Sequence, residues 1–159
     1  FPVLFDRLRD RVYPERAANP RASYARFWWR FLEPRRELRE ALAGLPRYIV
    51  TSEVSKHPIF AFVDGDVAPD GTLVCIASGD DYVLGVLSST AHAVWLRAAG
   101  GRMGVRHTPR YSKGACFDPF PFPTPSAALQ TQIAAAAQDI EAHRARALAA
   151  SPEVTMMKM

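Results

Sequence analysis

The amino-acid sequence predicts an α+β fold: a small mixed or antiparallel sheet, helices packed at one end of it, and a long C-terminal helix. Two observations lead there. Three short runs rich in β-branched and aromatic residues, Arg47–Thr51, Pro58–Val63 and Thr72–Ala77, follow one another with turn signals at Asp64-Gly65 and Asp70-Gly71. Helical patterns lie before and after these runs and not between them, so neither an alternating βαβ chain nor an all-β one fits.

The elements follow in order. Residues 3–12 read as the end of a helix, with Val3, Leu4, Leu8 and Val12 on one side and charges on the other. Pro14, Asn19 and Pro20 mark 13–23 as irregular. Tyr24–Phe31 is an aromatic-rich turn of helix or an extended clamp. Glu33-Pro34 starts a short helix through Leu38 and Leu42, closed by Gly44. After the three strands, Asp80 and Asp81 cap a helix from Tyr82 to Ser88, and Ser89-Thr90 cap another from His92 to Ala98. Gly100-Gly101 ends it, and 101–117 reads as strand and loop. Prolines at 119, 121, 123 and 125 make Phe117–Pro125 a rigid extended strip. Ser126 caps a closing helix to about Ala149, with Leu129, Ile133, Ala137, Ile140, Arg144 and Leu148 on one face.

A hydrophobic content of 48% with 11% aromatic residues supplies a core and excludes disorder throughout. No apolar run approaches the ~20 residues of a membrane span, and Phe1–Phe5 lacks the basic lead-in of a signal peptide. A cytoplasmic protein with no membrane partner is therefore expected. The start at Phe1 reads as a fragment cut from a longer protein. Cys75 and Cys116 have no Cys-x-x-Cys spacing and are expected to be small buried apolar residues.

The net charge of +4 is unevenly spread. Residues 1–50 hold eleven Arg against six acids, 51–96 hold Lys56 against six acids, and 97–125 hold four Arg and Lys113 against Asp118. Two basic blocks bracket an acidic middle, and Arg suits bidentate phosphate and guanine contacts. A genome that encodes Arg in place of Lys gives the same bias.

Catalytic chemistry finds no foothold in the sequence. A methyl-transferring domain needs a Gly-rich cofactor loop and an Asn-Pro-Pro-Tyr tetrad, and neither occurs; Gly-x-Gly-x-x-Gly and P-loop patterns are also missing. Asp64, Asp66 and Asp70 lack the terminal Glu of a calcium loop and read as turn formers. The histidines at 57, 92, 107 and 143 share no ligand spacing, and His92 reads as a hydrogen-bonded core residue. No catalytic, cofactor-binding or metal-ligating residue is assigned, which points to a binding protein.

The order Asp80–Ser89, His92–Trp95, Gly101-Arg102, Pro109–Ser112 and Phe120-Pro-Phe-Pro123, with Arg47–Thr51 upstream, resembles the target-recognition domains of large bacterial DNA adenine methyltransferases of the MmeI-like restriction–modification family. The match covers most of residues 24–125. Trp28–Phe31 and Arg35–Arg47 look like the segment that joins methyltransferase and recognition parts in that family. The passage from Phe120–Pro125 into the final helix is similar to the specificity subunits of type I restriction systems. The resemblance implies a recognition domain over 24–125, a helical linker at 1–23 from an absent N-terminal methyltransferase domain, a spacer helix at 126–150 and a frayed tail at 151–159. It also implies double-stranded DNA and a cis methyltransferase domain as partners, with S-adenosylmethionine as the cofactor of the parent protein and none in this fragment. In such enzymes the target base is flipped while neighbouring base pairs are read in the groove.

Within that expectation, Gly101–Lys113 carries six cationic or aromatic groups and no acid. Arg102, Arg106, His107 and Arg110 are the expected base readers, and Lys56, Tyr111 and Lys113 the expected phosphate contacts. Gly104 and the loop-like Arg106–Pro109 depart from the family's pattern, so which bases are read does not carry over. Phe27, Trp28, Trp29 and Phe31 either anchor a core between domains or stack on bases. A different class, a protein-interaction or assembly domain that pairs through its final helix, remains the alternative; salt-dependent DNA affinity separates the two.

Overall fold

Residues 1–30, 35–105 and 107–151 are described by a computed structural model, and the chain falls into two units, Phe1–Glu40 and Ala41–Met159. In the first, α1 (Pro2–Ala17) begins with proline in its first turn, where no N–H is needed. It then continues through Pro14, where an irregular stretch was expected. The turns around Pro14 are held from outside. Tyr13 packs edge-on against Trp28 at 5.3 Å, and the Arg16 guanidinium donates to the carbonyls of Trp28 and Arg30. These contacts offset the missing backbone bond. After α2 (Ala22–Arg26), Phe27, Trp28 and Trp29 pack edge to face, with Arg30 over the rings of Phe27 and Trp29. The expected helix start at Glu33-Pro34, and Phe31, lie outside the described residues. The helix itself, α3, spans Arg36–Leu42, and Gly44 ends it at φ +79°, the left-handed cap for which glycine is suited.

The second unit is built around β1 (Arg47–Ser52), the middle strand of an antiparallel sheet in the order β2-β1-β3. β2 is Ala61–Asp64 and β3 is Leu73–Ile76. Four consecutive residues, Tyr48 to Thr51, are buried, which means both faces of β1 are covered. β2 starts three residues later than expected. The Phe60 carbonyl accepts from Arg144 of the last helix at 2.6 Å instead of joining the ladder, and Pro58 has no N–H to give.

Asp80 caps α4 (Asp81–Leu87) by accepting from the Tyr82 N–H at 2.7 Å, and Ser89 caps α5 (Thr90–Ala99) by accepting from the His92 N–H. A hairpin of β4 (Gly101–Met103) and β5 (Thr108–Arg110) follows. Next, a π-helical turn at Lys113–Phe117 replaces the expected strand or loop. Tertiary contacts override the breaker signal of Gly114: Cys116 is fully buried and its carbonyl accepts from the Trp95 indole at 3.1 Å. The extended strip is correspondingly shorter, since the Phe120 N–H bonds back to Phe117. The Tyr82 hydroxyl holds its far end by donating to the Pro123 carbonyl at 2.8 Å.

The last helix, α6 (Ala127–Ala150), is capped by Ser126 and lies against α4. Its inward face is not quite the expected one. Ala137 is fully buried, and Ile133, Arg144 and Leu148 are half-buried, but Leu129 and Ile140 are exposed. The stripe passes through Glu141 instead, whose carboxylate pairs with Arg144 at 2.7 Å. A single core joins Ile49, Phe60, Ile76, Leu84, Leu87, Leu96, Tyr111, Cys116 and Ala137. Cys75, expected to be buried, is only half so.

Candidate nucleic-acid interface

The sequence places a cluster of basic residues in and beside the β4–β5 hairpin, and the fold explains how the hairpin is held. Its base is stitched to the segment after β1: the Ser55 N–H donates to the Pro109 carbonyl at 3.2 Å, and the Tyr111 N–H to the Glu53 carbonyl at 2.7 Å. Val54 and Arg110 form an isolated bridge. Gly100 sits where α5 meets this base. A Cβ there would lie 2.5 Å from the Leu96 carbonyl oxygen and 3.1 Å from that of Arg110, so only glycine allows the approach.

Beyond the base the hairpin stands free. Arg102 faces Pro109 across the ladder, and Met103 faces Thr108. Gly104 and His107 both have positive φ, +72° and +50°, and the His107 N–H closes the turn onto the Gly104 carbonyl at 3.1 Å. Val105 is fully exposed and Met103 half-exposed. The tip therefore offers an apolar knob beside cations, a combination that suits groove edges and thymine methyl groups.

Each expected contact residue has a place. Arg102 and His107 lie on the exposed part of the hairpin, where an Arg102 terminal nitrogen donates to the His107 carbonyl at 3.3 Å. Arg106, the central expectation, lies outside the described residues. Arg110 is at the base, its guanidinium engaged by the Glu53 carboxylate, so it anchors the hairpin and does not extend it. Lys113 is exposed and pairs with Asp118 at 2.9 Å. Lys56 is exposed on the loop after β1.

Tyr111 must be corrected: it is 1% exposed and belongs to the core, and burial pushes its phenol well above the ordinary range. It packs edge-on against Phe60 and His92, which removes it from the phosphate contacts. An aromatic two residues before Lys113 in a basic loop gave no hint of burial. His92 conforms to its expected role. It is fully buried, and its Nδ1–H donates to the Leu87 carbonyl at 2.8 Å. Desolvation lowers its pKa, with that hydrogen bond acting in opposition, so the ring is neutral. Met103 and Val105 were missed in the sequence, because two isolated apolar residues in a polar loop show no periodicity.

Among the described residues no group of His, Cys, Asp and Glu could hold a metal ion, and no helix is long and apolar enough to cross a membrane.

The family model described as "MmeI, target recognition domain" matches residues 4–124, and the chain belongs to that family. A curated relative, DNA methyltransferase A of Bacillus subtilis (strain 168), is 30% identical over 91 residues, covering 57% of this chain and 10% of that protein. The solved structure of the Type IIL restriction–modification enzyme MmeI in complex with DNA superposes with a TM-score of 0.72 at 25% identity, over 91% of this chain and 19% of that one. The chain thus spans only a small part of the length of the proteins it matches.

Proposed function

We propose that this chain reads duplex DNA in sequence-specific fashion for an S-adenosylmethionine-dependent adenine methyltransferase of a restriction–modification system. The carrying observation is the exposed hairpin tip, with Arg102, His107 and the fully exposed Val105 on a base fixed by Glu53–Ser55. A rigid element with a short, positively flanked end is the form that enters a groove. Lys113 and Lys56 supply phosphate contacts that set register. The likeness to a DNA-bound MmeI structure supports this reading, and the similarity to a DNA methyltransferase supports a methyltransferase portion outside this chain that binds the cofactor. The first unit, over Phe1–Glu40, then serves as the link to that portion.

The described part of α6 turns its inward face onto α4 of its own unit through Ile133 and Ala137, which leaves a poor apolar stripe for a partner helix and disfavours an assembly domain. Anisotropy titration of the chain with duplex DNA between 50 and 200 mM salt tests the proposal. Affinity should fall steeply with salt as counterions are released. Absence of duplex binding at low salt, or binding indifferent to salt, would sink it.

A further inference from the structure

A groove of about 240 Å³ opens between the loop after β1 and α5, at the foot of the hairpin. Lys56 stands on one wall and Arg97 on the other. Both are exposed, neither makes an ion pair among the described residues, and no carboxylate lines the space. The floor is apolar, with Phe60, Leu87 and Leu96. The N-terminal end of α5 also borders it, through Ser88 and the capping Ser89. Two side-chain atoms of lining residues, Ser88 Oγ and His92 Nε2, are buried with no hydrogen-bond partner. Unpartnered buried polar groups are costly and rare.

From this chemistry we infer that the groove is a phosphate-ester site, and that it holds one backbone phosphodiester of the bound DNA strand. The inference rests on the DNA-reading function proposed above and adds Arg97 and the N-terminal end of α5 to it. Lys56 and Arg97 supply positive charge from opposite sides. The N-terminal end of α5 favours an anion beside it. A deoxyribose fits the apolar floor. His92 does not bind the phosphate: with its Nδ1 proton committed to Leu87, Nε2 of the neutral ring is an acceptor. It is instead a reporter on the groove wall.

The test uses the whole chain, wild type and the double variant Lys56→Ala/Arg97→Ala, with equal urea midpoints as the check on folding. For duplex DNA, the slope of log affinity against log salt should flatten in the variant by about 0.9, the loss of one phosphate contact. The His92 imidazole signal should shift on adding duplex to wild type. Thymidine 5′-monophosphate should shift it only at millimolar concentration. Wild-type duplex binding with an unchanged slope in the variant overturns the groove assignment and leaves the DNA-reading proposal standing. Saturation by the monophosphate at micromolar concentration, with no His92 response to duplex, overturns the backbone as the source and makes the groove a nucleotide site. Failure of wild type to bind duplex at all overturns both.

Discussion

Arg110 donates to Glu53 through its Nε and a terminal nitrogen, at 2.8 and 2.6 Å, with both bonds falling on one carboxylate oxygen. The pair bolts the last residue of β5 to the segment that leaves β1, so the hairpin inherits the rigidity of the sheet.

Replacing Glu53 with Gln should separate anchoring from charge. The pair is partly exposed, so unfolding free energy should fall by no more than about 1 kcal/mol. Affinity for duplex DNA should rise, because a carboxylate is lost and Arg110 is released. A fall in affinity at unchanged stability would mean that the pairing itself shapes the DNA-binding surface.

Arg102 and Lys113 are expected to differ in kind. In the methyltransferase proposed above to carry this chain, Arg102→Ala should change which sequences are methylated, with roughly 1–3 kcal/mol of discrimination lost at one base pair. Lys113→Ala should weaken methylation of every site alike, because a flexible ammonium near a phosphate carries no base information. Methylation mapping over random duplexes reads both. The same site preference in Arg102→Ala would remove this residue from the readout set, and Arg106→Ala provides the neighbouring comparison.

Gly85 marks the seam between α4 and α6. A Cβ there would lie 2.7 Å from the Ile133 Cγ2 and 2.8 Å from its carbonyl oxygen, and backbone cannot yield as a side chain can. Gly85→Ala should lower the unfolding free energy by about 1–3 kcal/mol through overpacking, despite alanine's better helix propensity. Urea denaturation decides the sign; a stabilised variant would show that the two helices part without cost.

His92 predicts an acid limb to stability. Burial lowers its folded pKa below the ordinary 6.5, so below that value the unfolded chain binds more protons than the folded one. Its contribution is fully present above about pH 6.5 and is lost as pH falls toward the depressed folded value. The urea midpoint should drop between pH 7.5 and 5.5 in wild type and drop less in His92→Gln, which cannot take a proton. Equal drops would place the acid sensitivity elsewhere.

The sequence was most legible where local chemistry decides. Asp80, Ser89 and Ser126 announced three helix starts, and Arg47–Thr51 announced the central strand, because capping and β-branching act over a few residues. It was least legible where a distant partner sets the outcome. Pro14 fails to stop α1 because Trp28 and Arg30 receive Arg16. Phe60 is kept from β2 by Arg144, 84 positions away. The candidate loop was visible as a run of cations without acids, but burial of Tyr111 depends on Phe60 and His92, which no local pattern connects. The groove wall at Arg97 was invisible for the same reason.

A hairpin whose foot is stapled and whose described tip residues Val105 and His107 stay out of the core has a further consequence for how such a domain can change over generations. Folding places demands on Glu53, Gly100, Arg110 and Tyr111, and few on the fully exposed Val105. Substitutions at exposed positions away from caps and core generally alter stability by less than about 0.5 kcal/mol. Variation there is nearly invisible to the fold while it alters the outermost chemistry of the loop. A lineage can thus wander through many tip sequences without ever passing through an unfolded ancestor, and each step is judged by what the loop touches rather than by whether the protein survives.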